Sequence, residues 1–243
     1  MKYTDHLYNF DNYDSLLYNS ERAVFKTVYK FLKLNTKDRI LDVGCGTGAF
    51  RTYYSKISNY VGIDISKPNL AYIPKEFKHY LNMDATYLGF KSASFTKVIC
   101  CEVLEHVEEA DRSRILKEIK RVVKPNSQVV ITVPNALYLW SYLPWSLIPF
   151  KRRSHLKDLL QGILHGFFDE GHPQYKPHYR FVPAYFSKLL ISNGFKIDQI
   201  TTTYWYNNRF LKYIPEKLQV YLWKCLVGWK LGSQIVISCK VDQ

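Results

Sequence analysis

Arg39-Ile40-Leu41-Asp42-Val43-Gly44-Cys45-Gly46-Thr47-Gly48-Ala49-Phe50 carries the decision about the fold. Ile40 to Val43 is a short strand-forming run, and Gly44, Gly46 and Gly48 mark a tight turn. The residues from Ala49 to Tyr54 then read as a helix. A strand that turns directly into a helix through glycines lets the backbone approach a ligand closely, because a Cβ at those positions would stand in the way.

Working outward, residues 20–34 place Val24, Phe25, Val28, Phe31 and Leu32 at helical spacing, with Ser20 as the expected N-cap. Apolar runs of strand length follow at 60–65, 97–101 and 128–133. Residues 111–123 between them repeat Ile115, Leu116, Ile119, Val122 and Val123 as a helix does. A helix returns at 183–193 with Gly194 as its C-cap, then a strand at 195–202 and a last strand at 234–240, expected to be antiparallel to its neighbour. Alternating strands and helices imply a doubly wound α/β sheet, mostly parallel and covered on both faces.

At 243 residues the chain suits one large domain, with residues 1–35 as an N-terminal helical cap. Composition (47% hydrophobic, 23% charged) excludes disorder and fibrous repeats. Five cysteines, Cys45, Cys100, Cys101, Cys225 and Cys239, show no CxxC spacing and read as reduced, buried thiols. The polar N-terminus has no apolar leader core, so a cytoplasmic location is expected. The net charge of +13 is concentrated in residues 151–243, with 14 basic against 6 acidic side chains, compared with 20 against 15 in residues 1–150. Such a field suits nucleic acid, an anionic bilayer or acidic substrates without choosing among them.

The turn reads GxGxG, not the GxGxxG that cradles a pyrophosphate, and Asp64 ends the next strand 20 residues after Gly44. An acidic group there can accept hydrogen bonds from both ribose hydroxyls, so a nucleoside without a pyrophosphate fits best. With Val61-Gly62-Ile63-Asp64, Asn82-Met83-Asp84-Ala85, Leu104-Glu105-His106-Val107 and Val123-Lys124-Pro125 in register behind it, the chain resembles the class I S-adenosylmethionine-dependent methyltransferases, of methyltransferase type 11. The resemblance covers about residues 20–135 and the final strands. It implies a Rossmann-like, seven-stranded sheet with an antiparallel last strand, and S-adenosylmethionine as cofactor. The sequence departs from the usual Pro-Gly-Gly at Pro125-Asn126-Ser127, a turn away from the cofactor.

The resemblance implies that Gly44, Cys45, Gly46 and Gly48 lie along the methionine and ribose, with Asp42 near the ammonium. Asp64 then sits at the ribose and Asp84 with the Ala85 backbone at the adenine; Ile65 and Glu102 also count as cofactor-binding, Glu102 with Glu105 and His106 at the acceptor end. Each has a plain alternative: Asp42 as a turn cap, Asp84 as a helix N-cap, Cys45 as a small buried residue.

Glu102-Val103-Leu104-Glu105-His106 follows the fourth strand, where such sheets place their active sites. It is similar to the Glu-x-x-Glu-His segment of the ubiquinone-pathway O-methyltransferases, which implies a divalent metal on Glu102, Glu105 and His106. The alternatives are His106 as catalytic base beside Glu105, or a structural histidine. His178 to Pro183 also resembles that group, and Pro134-Asn135 is open between an acceptor contact and a strand-ending turn.

Residues 136–182 and 203–233 read as insertions over the cleft, rich in aromatic residues and lysines. They include Trp140, Tyr142, Trp145 and Phe150 before Lys151-Arg152-Arg153, and Trp205, Tyr221, Trp223 and Trp229 with Lys224 and Lys230. Residues 136–150 are uncharged but interrupted by Pro144 and Pro149, too short to span a bilayer. The insertions fit a lid core, a dimer contact or peripheral contact with the inner face of a membrane. The expected activity is methyl transfer to oxygen of a small lipophilic or aromatic acceptor. Alternatives are a membrane enzyme acting on a lipid-linked glycan or quinone, an RNA methyltransferase, and a non-catalytic cofactor-binding scaffold. The oligomeric state is open.

Overall fold

The computed structural model describes residues 15–54, 57, 59–137, 167–168, 179–203 and 232–241, with side chains from Val24 onward except at Tyr53 and residues 167–168. Helix α1 (Ser15–Leu32) precedes strand β1 (Ile40–Val43), α2 (Ala49–Tyr53), β2 (Tyr60–Asp64), α3 (Lys67–Ala71) and β3 (Tyr80–Asn82). Then come β4 (Phe95–Cys101), a 3-10 turn (Leu104–His106), α4 (Glu109–Val122) and β5 (Val123–Pro134). The short β6 (Phe167–Phe168) and β7 (Tyr179–Arg180) pair with each other, and α5 (Pro183–Ser192), β8 (Phe195–Thr203) and β9 (Gln234–Val241) complete the order.

Seven strands form one sheet in the order β3-β2-β1-β4-β5-β9-β8. The first five are parallel to their neighbours, and β9 runs antiparallel between β5 and β8. The sequence order reverses at β1 and β4, which opens a crevice at the carboxyl ends of these strands.

Strand alternation assigns the two faces. Ile40, Ile99, Val130 and Val236 point toward α1 and pack with Val24, Val28, Phe31 and Leu32. Leu41, Val43, Val98, Cys100, Val129 and Ile131 point the other way, onto Ile115, Leu116, Ile119 and Val122 of α4 and Phe186 and Leu190 of α5. Helix α1 begins at Ser15, so Ser20 lies inside it and is not the N-cap. The reason is already in the sequence: Leu17, Glu21, Val24 and Val28 keep helical spacing, and a favourable cap residue does not interrupt a continuing stripe. The helix stops where Lys33 takes φ 48°.

Helix α4 carries Glu109 and Asp111 in its first turn and Lys120 and Arg121 in its last, matching the helix dipole. Arg121 donates to the carbonyls of Phe90 (2.7 Å) and Leu88 (2.6 Å), while Glu118 accepts from Leu88 N (2.7 Å). This clamp fixes the stretch after β3. Gly194 takes φ 84° after α5, as a C-cap glycine does. Cys45, Cys100 and Cys239 are free and buried, Cys101 is free and half-buried, and Cys225 lies outside the described residues. Among the described residues no helix is long and apolar enough to cross a membrane.

Candidate active site

All three glycines of the turn adopt left-handed backbone: φ 71° at Gly44, 54° at Gly46 and 75° at Gly48. Their surroundings differ. A Cβ on Gly44 would collide with Val103, whereas the Cβ position of Gly46 faces open space with nothing within 4 Å. The turn is sewn to β2: Gly44 N and Cys45 N both donate to the Ile63 carbonyl, at 2.8 and 2.9 Å.

Asp64 is the join between the two halves of the site. Its Oδ2 accepts from Gly46 N and its Oδ1 from Ser66 N, both at 2.8 Å. Burial pushes its carboxyl above the usual range, and these two backbone donors oppose that shift. Each carboxylate oxygen retains lone-pair capacity for a further donor. Asn82 Nδ2 donates to the Asp64 and Ile65 carbonyls, at 3.0 and 2.8 Å, which fixes the end of β2. Ile65 is exposed beside it.

Asp84 is exposed and caps the following turn, its Oδ1 accepting from Thr86 N and Thr86 Oγ1 at 2.8 Å each. Oδ2 has no partner among the described residues. Ala85 next to it is half-buried.

Asp42 points from β1 toward the α1 side and is buried, with the Tyr60 hydroxyl donating to its Oδ2. Burial raises its pKa to about 7, against the lowering effect of the Tyr60 bond. Cys45, buried between this carboxylate and Asp64, has its thiol pushed up by burial and by both charges. The Tyr80 ring packs over Gly62, where a Cβ would come within 2.5 Å of it.

At the other side of the crevice Glu102 ends β4 with φ 53°, a strained conformation for a residue with a side chain. Its N donates to the Thr132 carbonyl at 3.1 Å, and its Oε1 accepts from Thr132 Oγ1 at 2.7 Å. Glu105 is turned inward, 1% exposed, with Oε2 lacking a hydrogen-bond partner among the described residues. Burial first, then the charge of Glu102, hold its carboxyl well above the usual range. His106 stands half-buried with Nε2 3.7 Å from Glu105 Oε1.

Among the described residues no three His, Cys, Asp or Glu side chains are placed to hold an ion. The Glu-x-x-Glu-His spacing brings Glu102, Glu105 and His106 onto one turn. Glu102 reaches across to Thr132, and Glu105 points inward. Asn135 is likewise a strand-ending residue: its Nδ2 donates to the Gly232 carbonyl (2.6 Å) and its Oδ1 accepts from Leu137 N (3.0 Å). Tyr60 and Thr132 were not singled out from sequence. A hydroxyl inside each apolar strand was the available signal. The aromatic and basic stretches assigned to a lid fall almost wholly outside the described residues.

The sheet order, the antiparallel β9 and the glycine turn at the crevice define the class I S-adenosylmethionine-dependent methyltransferase fold. A family model described as a methyltransferase domain matches residues 41–131. The whole fold is shared with a SAM-dependent methyltransferase structure from Archaeoglobus fulgidus, at TM-score 0.63 and 17% identity, covering 95% of this chain and 100% of that one. An uncharacterised protein of Methanocaldococcus jannaschii is 35% identical over 131 residues, 52% of this chain and 56% of that protein. Demethylmenaquinone methyltransferase of Lactobacillus johnsonii is 31% identical over 118 residues, 44% of this chain and 48% of that protein. The chain thus spans about half the length of these two relatives.

Proposed function

We propose that this protein transfers a methyl group from S-adenosylmethionine to an oxygen of a small lipophilic or aromatic acceptor. The observation that carries the reading is the Asp64 to Gly46 bond at 2.8 Å, which sets a carboxylate against a glycine turn whose Gly46 faces open space. A carboxylate and a bare backbone edge are the donor set that a nucleoside without phosphates needs, so the residues fit the cofactor. When bound, the cofactor supplies an electrophilic methyl on a positively charged sulfur.

Asp64 would hold the ribose hydroxyls, and Gly44, Cys45, Gly46 and Gly48 would line the ribose and methionine. Ile65 and Ala85 would offer apolar contact to the adenine, and the open Oδ2 of Asp84 an acceptor for its amine. Asp42 and Glu102 would supply negative charge at the ammonium end. Such transfer asks little of the protein beyond orientation, a dry site and removal of the acceptor proton. His106 would take that proton, with the buried Glu105 beside its imidazole.

The likeness to demethylmenaquinone methyltransferase supports a lipophilic ring as acceptor. The test is transfer of labelled methyl to cell extract separated into lipid, RNA and polar pools. Incorporation into the lipid pool is expected. Incorporation confined to RNA would replace this acceptor class, and none in any pool would remove the enzymatic reading.

A further inference from the structure

Arg112 belongs to none of the motifs discussed so far, yet it touches the acceptor end of the site. It lies near the start of α4, 4% exposed, and its Nε donates to the Leu104 carbonyl at 2.9 Å. That carbonyl belongs to the 3-10 turn that carries Glu105 and His106. The guanidinium carbon stands 4.1 Å from the Tyr179 ring centroid and 5.0 Å from that of Phe181. Tyr179 in turn donates through its hydroxyl to Glu108 Oε2 at 3.1 Å. Phe181 is pinned to the end of β5, its N donating to the Pro134 carbonyl and its carbonyl accepting from Ala136 N, both at 2.9 Å. One side chain therefore joins α4, the Glu105–His106 turn and the segment that returns to the sheet at residues 179–181.

Stability does not explain it. A guanidinium withdrawn from water loses hydration that one hydrogen bond, two ring contacts and the nearby Glu109 and Glu105 do not fully replace, and Nη2 is buried with no acceptor among the described residues. An unbranched apolar side chain would fill the same space without that penalty. What the flat guanidinium adds is direction: a donor in its plane toward Leu104 and a face for the rings.

We propose that Arg112 is a positioning residue for the acceptor end, making the placement of His106 depend on Tyr179 and Phe181 being docked against α4. This rests on the reading of His106 as the base. The cofactor end rests mainly on the β1–α2 turn and the ends of β2 and β3, and Glu102 is held by Thr132 of β5, so Arg112 should matter to transfer far more than to cofactor binding.

The experiment uses the full chain with Arg112→Met, which keeps the bulk, and Arg112→Lys, which keeps the charge without the flat face. Three quantities are measured: S-adenosylhomocysteine affinity by calorimetry, labelled-methyl transfer into the active extract pool, and amide hydrogen exchange. For Arg112→Met, affinity within about twofold of the parent and a kcat lower by on the order of tenfold or more are expected, with KM for the cofactor unchanged. Arg112→Lys is expected to recover little of that loss. Exchange should accelerate together at residues 104–107 and 179–181.

The proposal is overturned by an affinity that falls in step with the rate, by an unchanged kcat, or by full recovery with lysine. Faster exchange at 179–181 with 104–107 unaltered overturns it as well. If the unmodified protein transfers no methyl, the functional reading fails by itself, and the exchange result still decides whether Arg112 couples the two segments. Should Arg112→Met fail to fold, Arg112→Lys carries the same measurements.

Discussion

Asp42→Asn tests the electrostatics beneath the glycine turn. Burial lifts the Asp42 pKa from its ordinary 3.8 to about 7. Between these values the folded protein keeps a proton that the unfolded chain has released, so stability falls as pH rises and levels off above about 7. Each pH unit in that window is worth about 1.4 kcal/mol, so the ionised carboxylate costs up to about 4 kcal/mol at pH 8 relative to pH 4. Asparagine has nearly the same shape, still offers an oxygen to the Tyr60 hydroxyl and cannot ionise. Urea unfolding of both proteins, followed by tryptophan fluorescence at pH 4.5, 6 and 8, isolates this one group, because every other titrating residue is common to the pair. The variant should gain on the parent steadily from pH 4.5 to 7, by about 3 kcal/mol in all, and hold that gain at pH 8. Parallel profiles for the two proteins would show that Asp42 is not a buried, proton-holding carboxyl.

Three further outcomes are expected. Asp64→Ala should weaken S-adenosylhomocysteine binding by about 1.5–3 kcal/mol, roughly 10- to 150-fold, in a calorimetric titration; an unchanged affinity removes Asp64 from the site. Gly44→Ala should destabilise the fold by about 1–3 kcal/mol through the clash with Val103 and the left-handed backbone, read as a lower urea midpoint. Adding Val103→Ala should recover only the steric part. His106→Ala should slow methyl transfer by about 10²–10⁴-fold while leaving cofactor affinity near its original value, and the reverse pattern would make His106 structural.

The parts of the fold legible in the sequence are those with local causes. Ile40 to Val43 followed by three alternate glycines can hardly be anything but a strand-to-helix turn, and the structure shows one, with the glycines at positive φ. The helical spacing of Ile115, Leu116, Ile119 and Val122 reads correctly because it is the buried stripe of α4. The placement of β9 between β5 and β8 is different: no local feature encodes pairing with residues 100 or more positions away, and the sequence points only to an antiparallel last strand without its place in the sheet.

Within the site, side-chain direction was the hidden variable. Spacing put Glu102, Glu105 and His106 within five residues, but it does not encode the positive φ at Glu102 or the inward turn of Glu105 that set their directions. The Tyr60 bond to Asp42 and the Thr132 bond to Glu102 cross from strand to strand, so both depend on register. Asn135 reads equally well as a ligand contact or a turn until Gly232 and Leu137 are seen to occupy its amide.

Titration calorimetry of the purified chain with S-adenosylmethionine and S-adenosylhomocysteine addresses the central claim most directly. Saturable binding of both at a single site, lost or strongly weakened when Asp64 is replaced, is the predicted result. Absence of heat from either compound at millimolar concentration would contradict the account.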